Sequence, residues 1–125
     1  MHSLETLNVR KKSETPHEFE LEIDGQKTGV FLSVIGQQSE TFTQAAAAIA
    51  AEFELAKGLA NAADFVNSER QKTMTNRLVA ARLVGWRGLS DPFTPDNALT
   101  LVTTNADAFA QVLRESNRVG NFMKL

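Results

Sequence analysis

Apolar and polar residues alternate with a period of two over Phe19, Leu21 and Ile23, interleaved with Glu18, Glu20, Glu22 and Asp24. Successive side chains on a strand point to opposite faces, so this pattern predicts a β-strand with one buried face and one wet face. Asp24-Gly25 follows as a turn dipeptide, because glycine takes positive φ without a Cβ clash, and Gly29 reopens the chain. The run Val30-Phe31-Leu32-Ser33-Val34-Ile35 is β-branched and more continuously apolar. It predicts the second arm of a hairpin, with helices against one face and a partner or a further strand against the other, ending at Gly36.

The period then changes to that of a helix. Phe42, Ala45, Ala46, Ile49, Phe53, Ala56 and Leu59 or Ala60 place one stripe along a helix that starts at Ser39 or Thr41, with Glu40 at its positive end. Gly58 is expected to weaken or bend this helix, since glycine inside one costs roughly 1 kcal/mol relative to alanine. A second helix is expected from about Asn67 to Val84, with Ser68 and Gln71 at capping-box spacing and Met74, Leu78, Ala81 and Val84 or Gly85 on its apolar line; Gly85-Trp86-Arg87-Gly88 ends it. Thr94-Pro95-Asp96 opens a third, carrying Ala98, Leu99, Leu101 and Val102, because proline suits the first helical position. Asn105 starts the last, which is expected to bury Ala106, Phe109, Val112 and Leu113 before Gly120.

These elements predict an α+β, mostly helical fold: an N-terminal β-hairpin or small antiparallel sheet (17–36) packed on a bundle of about four helices (40–125). Residues 17–125 then form one domain. Residues 1–16, with only scattered Leu4, Leu7 and Val9, read as a loosely ordered lead-in. No repeat of fixed period interrupts the scheme, which excludes a solenoid.

Composition narrows the functional classes. At 125 residues the chain is long enough for one core. Its longest nearly apolar run, 45–51, is mostly alanine and falls far short of the ~20 residues that span a bilayer. Met1 to Val9 contains Glu5 and no apolar stretch, so no secretory signal is expected. The absence of cysteine excludes disulfides and thiolate sites and suits a reducing cytoplasm. A net charge of -2 argues against general nucleic-acid binding, leaving only a local basic face on Arg70, Lys72, Arg77, Arg82 and Arg87.

Candidate chemistry is sparse. His17-Glu18 begins like a zinc-protease helix but lacks the second histidine and falls on a strand. Glu18, Glu20 and Glu22 share a strand face and offer carboxylates to a cation, or form an ordinary solvated face. No glycine-rich phosphate loop is present, since Gly85 and Gly88 follow a helix instead of opening one. No nucleophile and base can be paired, so no catalytic residue, cofactor or metal is expected, and enzymes are the weakest class.

The most distinctive stretch is Leu83-Val84-Gly85-Trp86-Arg87-Gly88-Leu89, followed by Asp91-Pro92-Phe93-Thr94-Pro95-Asp96-Asn97. Trp86 and Phe93 either plug a tight corner of the core or, half-exposed beside Arg87, anchor a partner. With Phe31, Val34, Phe42, Ile49 and Phe53 they make up the candidate protein-interaction set. The alanines between Ala45 and Ala51 let another helix approach the first helix closely.

A helix ending in Val84-Gly85-Trp86-Arg87-Gly88-Leu89, then Pro92-Phe93-Thr94-Pro95-Asp96-Asn97, then a final helix ending near Asn121-Phe122, resembles the tail assembly chaperones of long-tailed phages. The likeness spans about residues 17–125. It implies a non-enzymatic protein of the host cytoplasm that binds the tape-measure protein, keeps its long hydrophobic helices soluble, helps recruit major tail protein and is absent from the finished virion. In that family a ribosomal frameshift often appends a second domain. Self-association is compatible with such a role. The rival classes are a structural virion component, such as a tail-completion or connector subunit, and a small nucleic-acid-binding regulator using Arg70, Arg77 and Arg82.

Overall fold

Strand β1 (His17–Ile23) and strand β2 (Gln26–Val34) pair antiparallel across Asp24-Gly25, with Phe19 opposite Leu32 and Ile23 opposite Gln26. Both turn residues have positive φ, 52° and 75°, the geometry whose twist matches a two-residue hairpin. The structure, a computed structural model, describes residues 3–59 and 68–123, apart from the side chains of 55–59 and 68. The register shifts between Glu20 and Glu22, where Thr28, Gly29 and Val30 of β2 stand opposite Leu21 alone. The Thr28 hydroxyl closes this bulge by donating to the Leu21 carbonyl at 2.7 Å.

A third strand, β3 (Leu83–Arg87), pairs antiparallel with β2 and completes the order β1-β2-β3. This corrects the expected helix through Val84 and the reading of Gly85-Trp86-Arg87 as its terminator. Periodicity alone extends the helix because Met74, Leu78, Ala81 and Val84 keep helical spacing. Pairing with β2 outweighs it by satisfying the strand's backbone groups, and the ladder continues past the strand end through Ile35 N–H to Arg82 O at 3.0 Å.

Helix α1 (Val9–Lys12) is a single turn, capped by Asn8. After it Ser13 is buried, and its carbonyl accepts from Gly36 N at 2.9 Å, so the end of the lead-in is docked on the domain while Leu4 and Leu7 stay exposed. Helix α2 (Glu40–Leu59) runs on through Gly58. Its start is fixed twice: Ser39 Oγ accepts from Phe42 N, and Glu14 accepts from the Thr41 amide and hydroxyl at 2.8 and 2.6 Å. Helix α3 (Ser68–Ala80) follows, then α4 (Pro95–Thr104) behind the Thr94 cap, and α5 (Ala106–Asn117), with a 3-10 turn at Val119–Asn121. The predicted helix start at Asn67, the Ser68 cap and the Ala56, Leu59 and Ala60 stripe positions lie outside the described residues and side chains.

The inner face of the sheet supplies Leu21, Leu32, Val34 and Leu83 to a core closed by Val79 and Ala80 of α3, Ala98 and Val102 of α4, and Ala108 and Val112 of α5. The fold is α+β, a three-stranded antiparallel sheet against helices. Ala106, expected inside, is exposed, because α5 is rotated to bury Gln111, Glu115 and Ser116 beside Ala108 and Val112. Gln111 and Ser116 are placed to serve backbone groups, whereas the Glu115 carboxylate accepts from the Asn121 side chain at 2.6 Å. Gln111 donates to the Glu22 carbonyl at 2.6 Å and accepts from the Glu22 amide at 3.0 Å, as a neighbouring strand would, and Ser116 donates to the Ile35 carbonyl at 2.8 Å.

Replacing Gln111 with leucine leaves both Glu22 groups unpaired in a part-buried site and is expected to cost about 1–3 kcal/mol in urea denaturation. A loss under half a kilocalorie, roughly the scatter of surface substitutions, defeats that reading. Glu14 gives a pH signature. Hydrogen bonds from the Thr41 side chain, then its amide, hold the Glu14 carboxyl below its ordinary pKa. A depressed folded-state pKa contributes stability above the unfolded value that is lost as pH falls through the folded one. Glu14→Gln is therefore expected to melt below wild type at neutral pH and to match it in strong acid.

Candidate functional site

Helices α2, α3 and the start of α4 enclose an open apolar groove of about 370 Å³. Its floor is Ile49, Ala80, Leu83 and Ala98; Ala45, Ala81, Phe93, Pro95 and Leu99 form the walls, and Arg77 and Asp96 are the polar residues on its rim. Small residues explain why the groove exists, since Ala45, Ala80, Ala81 and Ala98 leave the space that larger side chains would fill. Its volume is at the low end of the roughly 300–1,000 Å³ of small-molecule pockets, but it lacks the convergent polar groups that orient a small ligand. Helix α2 adds unusual surface, with Ala47, Ala48, Ala50 and Ala51 all exposed although so apolar a helix is ordinarily buried.

Arg77 of α3 closes one end of the groove, its Nη2 lying 2.6 Å from Glu52 Oε2 of α2. A second hollow beyond this ion pair is lined by Phe53, Arg70 and Thr73. At the other end Phe93 packs edge-on against Trp86, with ring centroids 5.0 Å apart at 84°, and the Trp86 indole donates to the Asp91 carbonyl at 3.0 Å. Trp86 is thus half-buried behind Phe93 and holds the loop that leads into α4.

The interaction set read from the sequence is only partly brought together. Ile49 and Phe93 meet in the groove, Trp86 buttresses Phe93, and Phe53 lies in the adjoining hollow. Val34 is fully buried in the core and is no contact surface: it shares the inner sheet face with Leu32, two residues away, and the helices cover that face. Phe42 is also buried, beneath the Arg82 guanidinium. Phe31 lies on the outer sheet face under Arg87, whose Cζ is 3.9 Å from the ring centroid. Arg87 makes two hydrogen bonds to Glu18, at 3.0 and 3.1 Å, which hold the Glu18 carboxyl below its ordinary pKa and raise that of Arg87.

Glu20 accepts from the Gly29 amide at 3.0 Å, so the acidic strand face is engaged within the hairpin and with Arg87 instead of converging on one point. His17 sits 3.7 Å from Glu115 with its ring edge-on to Phe122. The basic face is not assembled either: Arg77 is paired with Glu52 and Arg82 is buried. Sequence reasoning missed Ala80, Ala98, Pro95 and Leu99 as groove residues. Each is ordinary on its own helix, and only the meeting of three helices makes a groove of them.

No helix among the described residues is long and apolar enough to cross a membrane. No protein-family model, curated protein or solved structure matches the chain.

Proposed function

We propose that the chain is a non-catalytic tail assembly chaperone or adaptor of a long-tailed phage. It binds the tape-measure protein in the host cytoplasm and helps recruit major tail protein during tail morphogenesis. The observation that carries this reading is the open groove between α2, α3 and α4, apolar along its floor and polar only at its rim. A long client helix that would otherwise aggregate needs its apolar stripe covered along a shallow surface, the helix-in-groove mode of recognition. The Gly85-Trp86-Arg87-Gly88 and Pro92-Phe93-Thr94-Pro95-Asp96-Asn97 stretches that resemble this family supply most of β3, the loop carrying the groove's Phe93 wall, and the cap and first turn of α4, where Pro95 and Asp96 also line the groove.

Co-expression with helical segments of the tape-measure protein from the same phage tests the reading. The segments are expected to stay soluble and co-purify with the chain, and the chain is expected to be absent from purified virions by mass spectrometry. Client segments that aggregate regardless of the chain reject the chaperone role. Stoichiometric retention in virions points instead to a structural subunit.

A further inference from the structure

The two edges of the sheet are finished differently. Helix α5 packs along β1, where its side chains stand in for a further strand: Gln111 bonds both the amide and the carbonyl of Glu22, and Asp107 Oδ2 accepts from the Asp24 amide at 3.0 Å. The free side of β3 has no such cover. Strand β2 is the one element that packs extensively along β3, and outside that ladder no hydrogen bond among the described residues reaches the backbone of Val84, Gly85, Trp86 or Arg87. An antiparallel ladder engages alternate residues, so the rest of β3 turns its N–H and C=O groups outward. The approach to them is open: Val84 and Arg87 are exposed, and a Cβ on Gly85 would meet nothing within 4 Å.

Edge strands are commonly guarded by lysine, proline or an inward-pointing charge, and β3 has none of these. Its one charged residue, Arg87, lies on the outer face and is already engaged by Glu18, so the edge offers little net charge. Its guard is a bulge: Val34 faces Leu83 and Ser33 faces Gly85, leaving Val84 as the extra residue. Leu83 and Trp86, opposite the buried Val34 and Leu32, therefore both turn inward, three residues apart instead of two. That spacing works against a second copy of the chain. Two β3 strands paired about Gly85 set inward Leu83 against outward Arg87, and pairing about Trp86 keeps the faces matched only from Gly85 to Arg87. We propose that the free edge of β3 receives an extended, uncharged segment of another protein as a fourth strand. Backbone hydrogen bonds supply the attachment. Alternate side chains set the chemistry: inward ones are apolar and continue the sheet face of Trp86 and Leu83, and an outward aromatic or β-branched one covers the bare backbone at Gly85. Because it is made through the backbone of the strand, this contact is separate from the helical client of the groove.

The experiment follows amide hydrogen exchange of the full chain, labelled with nitrogen-15, as a short peptide is added. The probe alternates threonine with valine and carries one central phenylalanine; a second probe has the same sequence with every amide N-methylated, which removes its backbone donors. The β3 amides that exchange fast in the free chain are expected to slow by about tenfold or more with the first probe, as newly bonded amides do. The Glu22 amide, already held by Gln111, is expected to stay unchanged, and the N-methylated probe to have no effect. Unchanged β3 exchange at millimolar peptide, or an equal effect of the N-methylated probe, overturns the proposal. Slowing confined to the groove residues of α2 also overturns it, by placing the peptide in the groove. So does β3 protection that grows with chain concentration in the absence of peptide, which would put a second copy on the edge. Every readout uses the wild-type chain, so none depends on a variant that folds.

Discussion

Gly88→Ala is expected to lose roughly 3 kcal/mol of stability, by left-handed backbone strain together with broken ladder hydrogen bonds. Gly88 has φ +90°, where a Cβ is strained, and that Cβ would stand 2.5 Å from the Gly29 carbonyl oxygen and 3.2 Å from the Val30 Cα. Both are backbone atoms of β2, so no side chain can swing aside. The strands must separate where Phe31 faces Arg87, which also disturbs the Phe31–Arg87 stack and the Glu18 ion pair. Gly25 is the control, because it has φ +75° and a Cβ there would meet nothing within 4 Å. Gly25→Ala therefore reports the strain alone, about 1–2 kcal/mol. Urea denaturation of the two variants separates the contact from the strain, and equal losses refute the close approach.

That glycine marks where the sequence stops being legible. The hairpin is readable because its signals are local: period-two alternation, Asp24-Gly25 and β-branched residues in the second arm. The caps at Ser39 and Thr94 and the proline opening α4 are readable for the same reason. Strand β3 is not, since Leu83 to Arg87 continues a helical spacing and becomes a strand only through pairing with residues some fifty positions earlier in the chain. The buried side of α5 escapes a sequence reading because Gln111 and Ser116 look like surface residues until the backbone groups they serve are known, and Glu115 does until the Asn121, His17 and Arg118 side chains around it are placed. Among the candidate site residues, Ile49 and Phe93 are legible as apolar positions, but the alanines that shape the groove around them carry no signal individually. Val34 shows the converse error: an apolar strand residue fits a contact surface and a core equally well until the inner face is assigned.

On the proposed chaperone reading, Ala45→Arg is expected to weaken binding of the tape-measure helix by 10- to 100-fold, a change of about 1.4–2.8 kcal/mol. Ala45 is half-buried and lines the groove. Arginine forms helices nearly as well as alanine, so α2 should persist and the melting temperature should change little. The new side chain lies along the groove, where an apolar client stripe must displace it and strip water from its charge, which is unfavourable without a partner. Ala51→Arg makes the same chemical change at an exposed position of α2 that does not line the groove. Binding of a labelled tape-measure helix, followed by fluorescence anisotropy, is expected to fall for Ala45→Arg and to hold for Ala51→Arg. If both variants bind like wild type, the groove is not the docking surface. If both fail equally, the client covers the alanine-rich exterior of α2 at large, and the floor of Ile49, Leu83 and Ala98 has no special part in recognition.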